Sequence, residues 1–416
     1  MTTAALLTAR AAPERVPAPS DDLPAWLRLA HARGLRPPAL RALLGAFGGP
    51  QAVLAQPFAD LARVAGDDAA RAALAPPDSR AGFDERVERT SGWVSQAGNH
   101  VVTLADAAYP QALLTMPDPP PLLYVKGRLD LLQARAVAIV GSRSATPQGI
   151  EDARRFARAL SDAGIAVVSG LALGIDAAAH RGALDGAAST LAVIGTGADL
   201  VYPSQHHALA HDIAERGAIV SEWPLGTPAR SENFPQRNRL IAGLVRGVLI
   251  VEAAMRSGSL ITARLANEMG RDVFAIPGSI HAPLSRGCHR MIKQGAKLVE
   301  TPEEVLEEFG IAPAAPAPAA ARKRSGAAAN NDRARRDDAP PPATASWASA
   351  RAARPNAAPD EERLLAALGH SPTTLEILAS RTDLTGSTLQ GLLLRLELAG
   401  QIEALPGGRF TRIERS

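Results

Sequence analysis

Between residues 122 and 300 the chain repeats one pattern: a short, largely apolar run, a loop of small residues, then a helix-length stretch. The runs are Leu122–Lys126, Ala136–Val140, Ala166–Ser169, Thr190–Ile194, Ala218–Ser221, Gly247–Val251, Asp272–Ile276 and Lys297–Val299. Most have no polar face, so strands made from them must be covered on both sides. The stretches Pro147–Ala163, Asp176–Gly186, Gln205–Arg216, Pro235–Leu244, Ser259–Met269 and Ser285–Lys293 supply covering helices. The alternation predicts an α/β core with a mostly parallel sheet.

In an open sheet of this kind ligands meet the carboxyl ends of the strands. Three loops there carry chemistry. Gly141-Ser142-Arg143 follows one strand, Ser169 to Asp176 follows the next, and Ser257-Gly258-Ser259 precedes a helix. A fourth segment, Phe234-Pro235-Gln236-Arg237-Asn238-Arg239, opens a helix of its own. Hydroxyls, backbone N–H groups at helix starts and forked guanidinium groups suit phosphate oxygens. Ser/Thr capping, or a hydrophobic staple at Phe234, would use the same residue types. Arg237 and Arg239 are two apart, so on a helix they diverge, one toward the site and one toward a second contact.

Other chemistries lack their signatures. The Gly141 turn is neither G-x-G-x-x-G nor a Walker A loop. Asp176 and His180 share a helix face, but without a G-x-S-x-G elbow they read as a cap and its orienting partner. His207 and His211 also share a face, yet no H-E-x-x-H and no convergent ligand set accompanies them, so no metal and no cofactor is expected. A nucleotide hydrolase of the lysine-decarboxylase-like group would carry a Pro-Gly-Gly-x-Gly-Thr turn, where this chain reads Ser257-Gly258-Ser259-Leu260.

The flanks differ from the core. Residues 23–80 read as short helices, Leu23–Arg33, Pro38–Phe47, Pro50–Ala55 and Phe58–Val64, in the manner of a helix-hairpin-helix or SAM-like module. A connector from Asp84 to Pro121 holds one strand-like run, His100 to Leu104. Residues 312–358 are rich in Ala and Pro, and residues 1–22 have no core pattern; both are expected to be disordered. Residues 359–416 read as three helices and a two-stranded ribbon, the order of a winged helix. The third helix, with Gln390 and Arg395, is poor in bases for major-groove reading, which counts against a transcription regulator acting through the tail.

The net charge of +3 is misleading. Residues 312–357 hold eight Lys/Arg and three Asp, a net of +5, which leaves the rest of the 416-residue chain at −2. Any anion site in the folded part must therefore be local. A single cysteine, Cys288, excludes a disulfide framework and a multi-cysteine zinc site. Met1 to Pro19 makes a poor signal peptide and no apolar run reaches bilayer length, so a cytoplasmic protein without a membrane anchor is expected.

Taken together, Val140–Arg143, Ser169–Asp176 with His180, Tyr202-Pro203, Ser221-Glu222, Phe234–Leu244, Ser257–Thr262 and Pro277-Gly278 resemble the DNA-processing protein A family, DprA or Smf, over roughly residues 100–300. The resemblance implies an extended Rossmann-like core, residues 81–311, between the helical head and the winged-helix-like tail. It implies a homodimer that binds single-stranded DNA without sequence preference, protects incoming DNA and helps load RecA during natural transformation, with no enzymatic turnover. Carried over, DNA contacts fall on Gly141, Ser142 and Arg143, with Ser169, Gly170, Ser257, Gly258 and Ser259 around them. Phe234, Arg237, Asn238 and Arg239 are implied as contacts or pocket support. Two departures stand out. The lysine that family members often place after Tyr-Pro is absent from Tyr202-Pro203-Ser204-Gln205, and Gly287-Cys288-His289 replaces a common Gly-x-Asn turn.

Overall fold

The structure, a computed structural model, describes residues 22–77, 79–311, 357–369, 372–405 and 408–413. Most of the two segments expected to be disordered, residues 1–21 and 312–356, lies outside them. The chain divides into two compact units, 1–311 and 312–416.

The first unit is built on a nine-stranded sheet. Its strands are β1 (Asn99–Thr103), β2 (Leu122–Gly127), β3 (Ala136–Val140), β4 (Ala166–Ser169), β5 (Thr190–Val193), β6 (Ala218–Ser221), β7 (Gly247–Ile250), β8 (Asp272–Ala275) and β9 (Lys297–Leu298). They lie in the order β1-β2-β6-β5-β4-β3-β7-β8-β9. All pairs from β6 to β9 are parallel, and β1 and β2 close one edge antiparallel. Alternate residues of each central strand enter opposite cores, as a pleated strand covered on both sides requires. Ala136, Ala138 and Val140 join one cluster with Val168 and Ile250, whereas Val137 and Ile139 join another with Val167 and Leu249.

The covering helices form two layers in sequence order: α7 (Pro147–Asp162), α8 (Ile175–Leu184), α9 (His207–Arg216), α10 (Asn233–Gly243), α11 (Ser259–Glu268), α12 (Arg286–Lys293) and α13 (Pro302–Glu308). From β3 the chain steps through β4, β5 and β6 in one direction. It then returns to β7 on the other side of β3 and steps the opposite way. The loops after β3 and β7 therefore diverge and open a crevice at the carboxyl ends of these strands.

The head contains α1 (Leu23–Ala30), α2 (Pro37–Phe47), α3 (Pro50–Leu54), α4 (Phe58–Ala65), α5 (Asp67–Leu74) and α6 (Arg80–Val94). Helix α6 occupies the first part of what reads in sequence as a connector. It starts where Ser79 Oγ accepts from Gly82 N at 3.2 Å. Trp26 and Leu27 of the head share an apolar cluster with Trp93, Leu122 and Tyr124. The Trp93 and Tyr124 rings meet edge to face at 6.0 Å. The head is thus packed on the antiparallel edge of the sheet. Among the described residues no helix is long and apolar enough to cross a membrane.

The second unit contains α14 (Ala357–Leu368), β10 (Thr373–Thr374), α15 (Leu375–Thr382), α16 (Gly386–Leu398), β11 (Ile402–Leu405) and β12 (Arg409–Arg412). The strands order β10-β12-β11, and Leu364, Leu378, Leu389, Leu393 and Ile402 fill the core. This is a winged helix. Arg395 of its third helix is paired with Glu361 at 2.7 Å.

Candidate nucleic-acid interface

Five loops and helix starts surround the crevice. Arg143, on the loop after β3, is exposed, and its guanidinium lies 5.4 Å from the centre of the Phe234 ring. Phe234, in the first turn of α10, packs against Tyr202 at 5.6 Å with the rings tilted by 39°. Tyr202 is 49% exposed and precedes a cis proline, Pro203. A cation and two rings thus face solvent side by side. Ser142, next to Arg143, is buried and accepts from Ser144 N at 3.1 Å, which shapes the turn that carries the arginine. Gly141 is half-buried under Ile175 and the Glu252 carbonyl.

Beneath this rim the loop after β4 is held from below. The Asp176 carboxylate accepts from Gly170 N at 3.0 Å and Ala172 N at 3.3 Å. Asp176 therefore caps its own preceding loop, while Gly174 occupies the N-cap of α8. Leu171 sits in the left-handed region, with φ of 57°. His180 Nε2 accepts from Leu171 N at 3.3 Å, and His206 Nδ1 donates to Leu171 O at 2.9 Å. Thr190 Oγ1 donates to Val167 O, so it accepts the His180 Nδ1 proton. His180 is thereby fixed as the neutral Nδ1–H tautomer. Burial pushes its pKa down to about 3, helped by the nearby His206 and Arg237. Two imidazoles clamp one strained residue.

Arg237 completes the floor. It is buried and donates through Nη1 to Gly170 O at 2.6 Å and to Val193 O. A Cβ on Gly170 would come within 2.1 Å of that nitrogen, so only glycine lets the guanidinium reach. Burial raises the Asp176 pKa, against the pull of Arg237, and lowers that of Arg237 to about 10. Arg237 stays charged beside Asp176 at neutral pH. Ser169 is also spent inward, its hydroxyl donating to Ile139 O at 2.7 Å.

The remaining residues singled out in the sequence spread around the crevice. Arg239 is turned away, paired with Glu222 and with Asp118 at 3.4 Å, and ties α10 to the proline-rich loop before β2. Burial lifts the Glu222 carboxyl to about 7 despite that pairing. Asn238 Nδ2 reaches Gly258 O at 3.4 Å and links α10 to the turn before α11. In that turn Ser257 and Ser259 share a hydroxyl contact of 2.6 Å, and Gly258 is exposed. Arg237 and Arg239 do diverge, but each is engaged by protein groups. Tyr202 was not among the candidate contacts. Only the fold brings its ring to Phe234, 32 residues away in the chain. Among the described residues no group of three or more His, Cys, Asp or Glu is placed to hold a metal ion.

An exposed arginine and paired rings at the switch point of a parallel sheet define an α/β protein equipped for anionic, ring-bearing ligands. Comparison with known proteins narrows the class. Residues 100–310 match the model of the DNA recombination-mediator protein A family, and residues 348–408 match that of the DprA winged helix domain. Protein Smf of Escherichia coli K12 is 40% identical over 340 residues, 79% of this chain and 82% of that protein. DNA processing protein DprA of Streptococcus pneumoniae is 49% identical over 207 residues, 50% of this chain and 73% of that protein. An X-ray structure of the Streptococcus pneumoniae DprA superposes with a TM-score of 0.57 at 39% identity, covering 68% of this chain and 97% of that one. The chain belongs to the DNA recombination-mediator protein A family.

Proposed function

We propose that this protein binds single-stranded DNA at the Arg143–Tyr202–Phe234 rim and delivers it to a RecA-type recombinase, without catalysing a reaction. The observation that carries the reading is Arg143, an exposed guanidinium set over the Phe234 ring, which itself packs against Tyr202. Arginine grips any phosphate, and an aromatic face accepts any base, so the pair favours strands without choosing a sequence. A duplex hides its base faces and would use the arginine alone. The membership of a recombination-mediator family supports the delivery step. Gly141, Ser142, Gly258 and Ser259 supply the close backbone approach around the arginine, and Arg237, Ser169 and Gly170 hold its floor. We further propose a homodimer working in the cytoplasm on DNA taken up by the cell.

The test is fluorescence anisotropy with labelled oligo-dT and with a duplex at several salt concentrations. Tighter, salt-sensitive binding of the single strand is expected. Equal affinity for both, or none for oligo-dT, would overturn the reading. Sedimentation reads the dimer, and RecA filament assembly on covered single strands, with and without the protein, reads delivery.

A further inference from the structure

A cavity of about 630 Å³ lies where the head meets the core, walled by α1 and α6, by the loop after β6 and by Gln236 of α10. Small-molecule sites occupy roughly 300–1,000 Å³. Its wall is basic. Arg28 on α1 and Arg86 on α6 line it, and neither has an acidic partner among the described residues. Arg28 spends only Nη2, on Leu74 O at 3.2 Å. Beside them His31 carries no charge at neutral pH, because burial, helped by Arg86, lowers its pKa to about 4. Glu222, the acidic residue of the wall, already gives Oε2 to Arg239. In a folded chain of near-neutral charge, this is a local excess of positive charge.

The wall also holds polar groups that the protein does not satisfy. Three buried atoms of its residues lack a hydrogen-bond partner among the described residues: Arg28 Nε, Glu222 Oε1 and Trp223 Nε1. Buried polar groups are ordinarily paired, and each one left alone costs about 1–3 kcal/mol. The carboxylate oxygen accepts and the indole N–H donates, on consecutive residues. An amino group beside a ring nitrogen, as adenine carries, has the matching donor and acceptor. The guanidinium groups suit a phosphate.

We propose that this cavity is a second binding site, for a free nucleotide, with the base on Glu222 and Trp223 and the phosphate on Arg28 and Arg86. It is separate from the rim and does not rest on the single-strand reading. The core supplies the groups for the base and the head those for the phosphate, so the bound ligand ties the head to the sheet.

The experiment uses the full chain at pH 8, above the Glu222 value of about 7. The probes are AMP, adenosine and inorganic phosphate, read by calorimetry and thermal shift. AMP is expected to bind and to raise the melting temperature. Adenosine and phosphate should each bind at least about tenfold more weakly, having lost one half of the contacts. No binding of AMP, or phosphate or adenosine binding as tightly as AMP, overturns the proposal. Arg86→Ala should weaken AMP about tenfold, the worth of one hydrogen bond to a charged group. Unchanged affinity in that folded variant overturns the site. Should it not fold, Arg86→Gln, which keeps most of the stem and removes the charge, decides on the same terms. Saturating AMP should leave oligo-dT binding to native protein unaltered; displacement would put AMP on the rim and overturn a second site. Failure of oligo-dT to bind native protein overturns the rim reading alone.

Discussion

Arg143 and Arg237 stand 5.4 and 6.0 Å from the centre of the same ring, that of Phe234. One is exposed and has no ion-pair partner among the described residues; the other is buried and donates through Nη1 to the Gly170 and Val193 carbonyls. Rim and floor of the crevice are made from the same residue types, yet only the rim can meet a ligand. The floor sets the shape on which the rim stands: Asp176, His180 and His206 hold the Gly170–Gly174 loop through its own backbone groups. A guanidinium counts as a contact only if water can reach it. A substitution should therefore separate affinity from stability at the rim and merge them at the floor.

The largest effect is expected at Arg237. Its removal leaves the Gly170 and Val193 carbonyls without their buried donor, a loss of about 2–6 kcal/mol of stability. Urea unfolding of Arg237→Ala reads it, and an unchanged midpoint would erase the distinction between rim and floor. Arg143→Ala comes next. It should lose about 1.5–3 kcal/mol of single-strand affinity, the worth of a hydrogen bond to a charged group, at an unaltered unfolding midpoint. Its salt slope should fall by about one. Full affinity in a folded Arg143→Ala would reject the rim.

The third comparison is of pH. His180 is held neutral in the fold with a pKa of about 3, against 6.5 when unfolded. Between these values the unfolded chain binds more protons, so the stability tied to neutral His180 is complete above pH 6.5 and is lost as pH falls toward 3. The slope is at most ~1.4 kcal/mol per pH unit. Glu222, raised by burial to about 7, works the other way, gaining folded-state stability as pH falls from there toward its unfolded value. The informative quantity is the difference between native protein and His180→Gln. It should shrink as pH drops below 6.5, and a difference independent of pH would remove His180 from the clamp. The smallest effect belongs to Tyr202→Ala, about 1 kcal/mol of single-strand affinity from one lost stacking face. Tyr202→Phe should bind as native protein does, since the ring rather than the hydroxyl is used.

Much of the α/β architecture is written locally. Each central strand is short and apolar on both faces, and the longest covering helix carries its own start signal, Thr146-Pro147 before α7. Helix α6 was not legible in this way. Its stripe of Phe83, Val87 and Val94 is narrow and interrupted by charged residues, and its burial comes from the edge of the sheet. The site was legible in residue types and not in their roles. Gly141, Ser142, Arg143 and Phe234 do gather at the crevice, as the loop positions suggest. That Arg237 and Arg239 both face protein groups depends on carbonyls and carboxylates far off in the chain, at Val193, Asp118 and Glu222.

The sequence by itself determined the layered α/β class, the strands, most of their helices and the set of loops at the carboxyl ends, because hydrophobic period and helix caps are properties of neighbouring residues. Only the tertiary structure decided which arginine meets solvent, that Tyr202 joins Phe234, and that Arg86 and Trp223 line one cavity. Burial and charge pairing are set by residues that are distant in sequence and adjacent in space, and no local pattern encodes them.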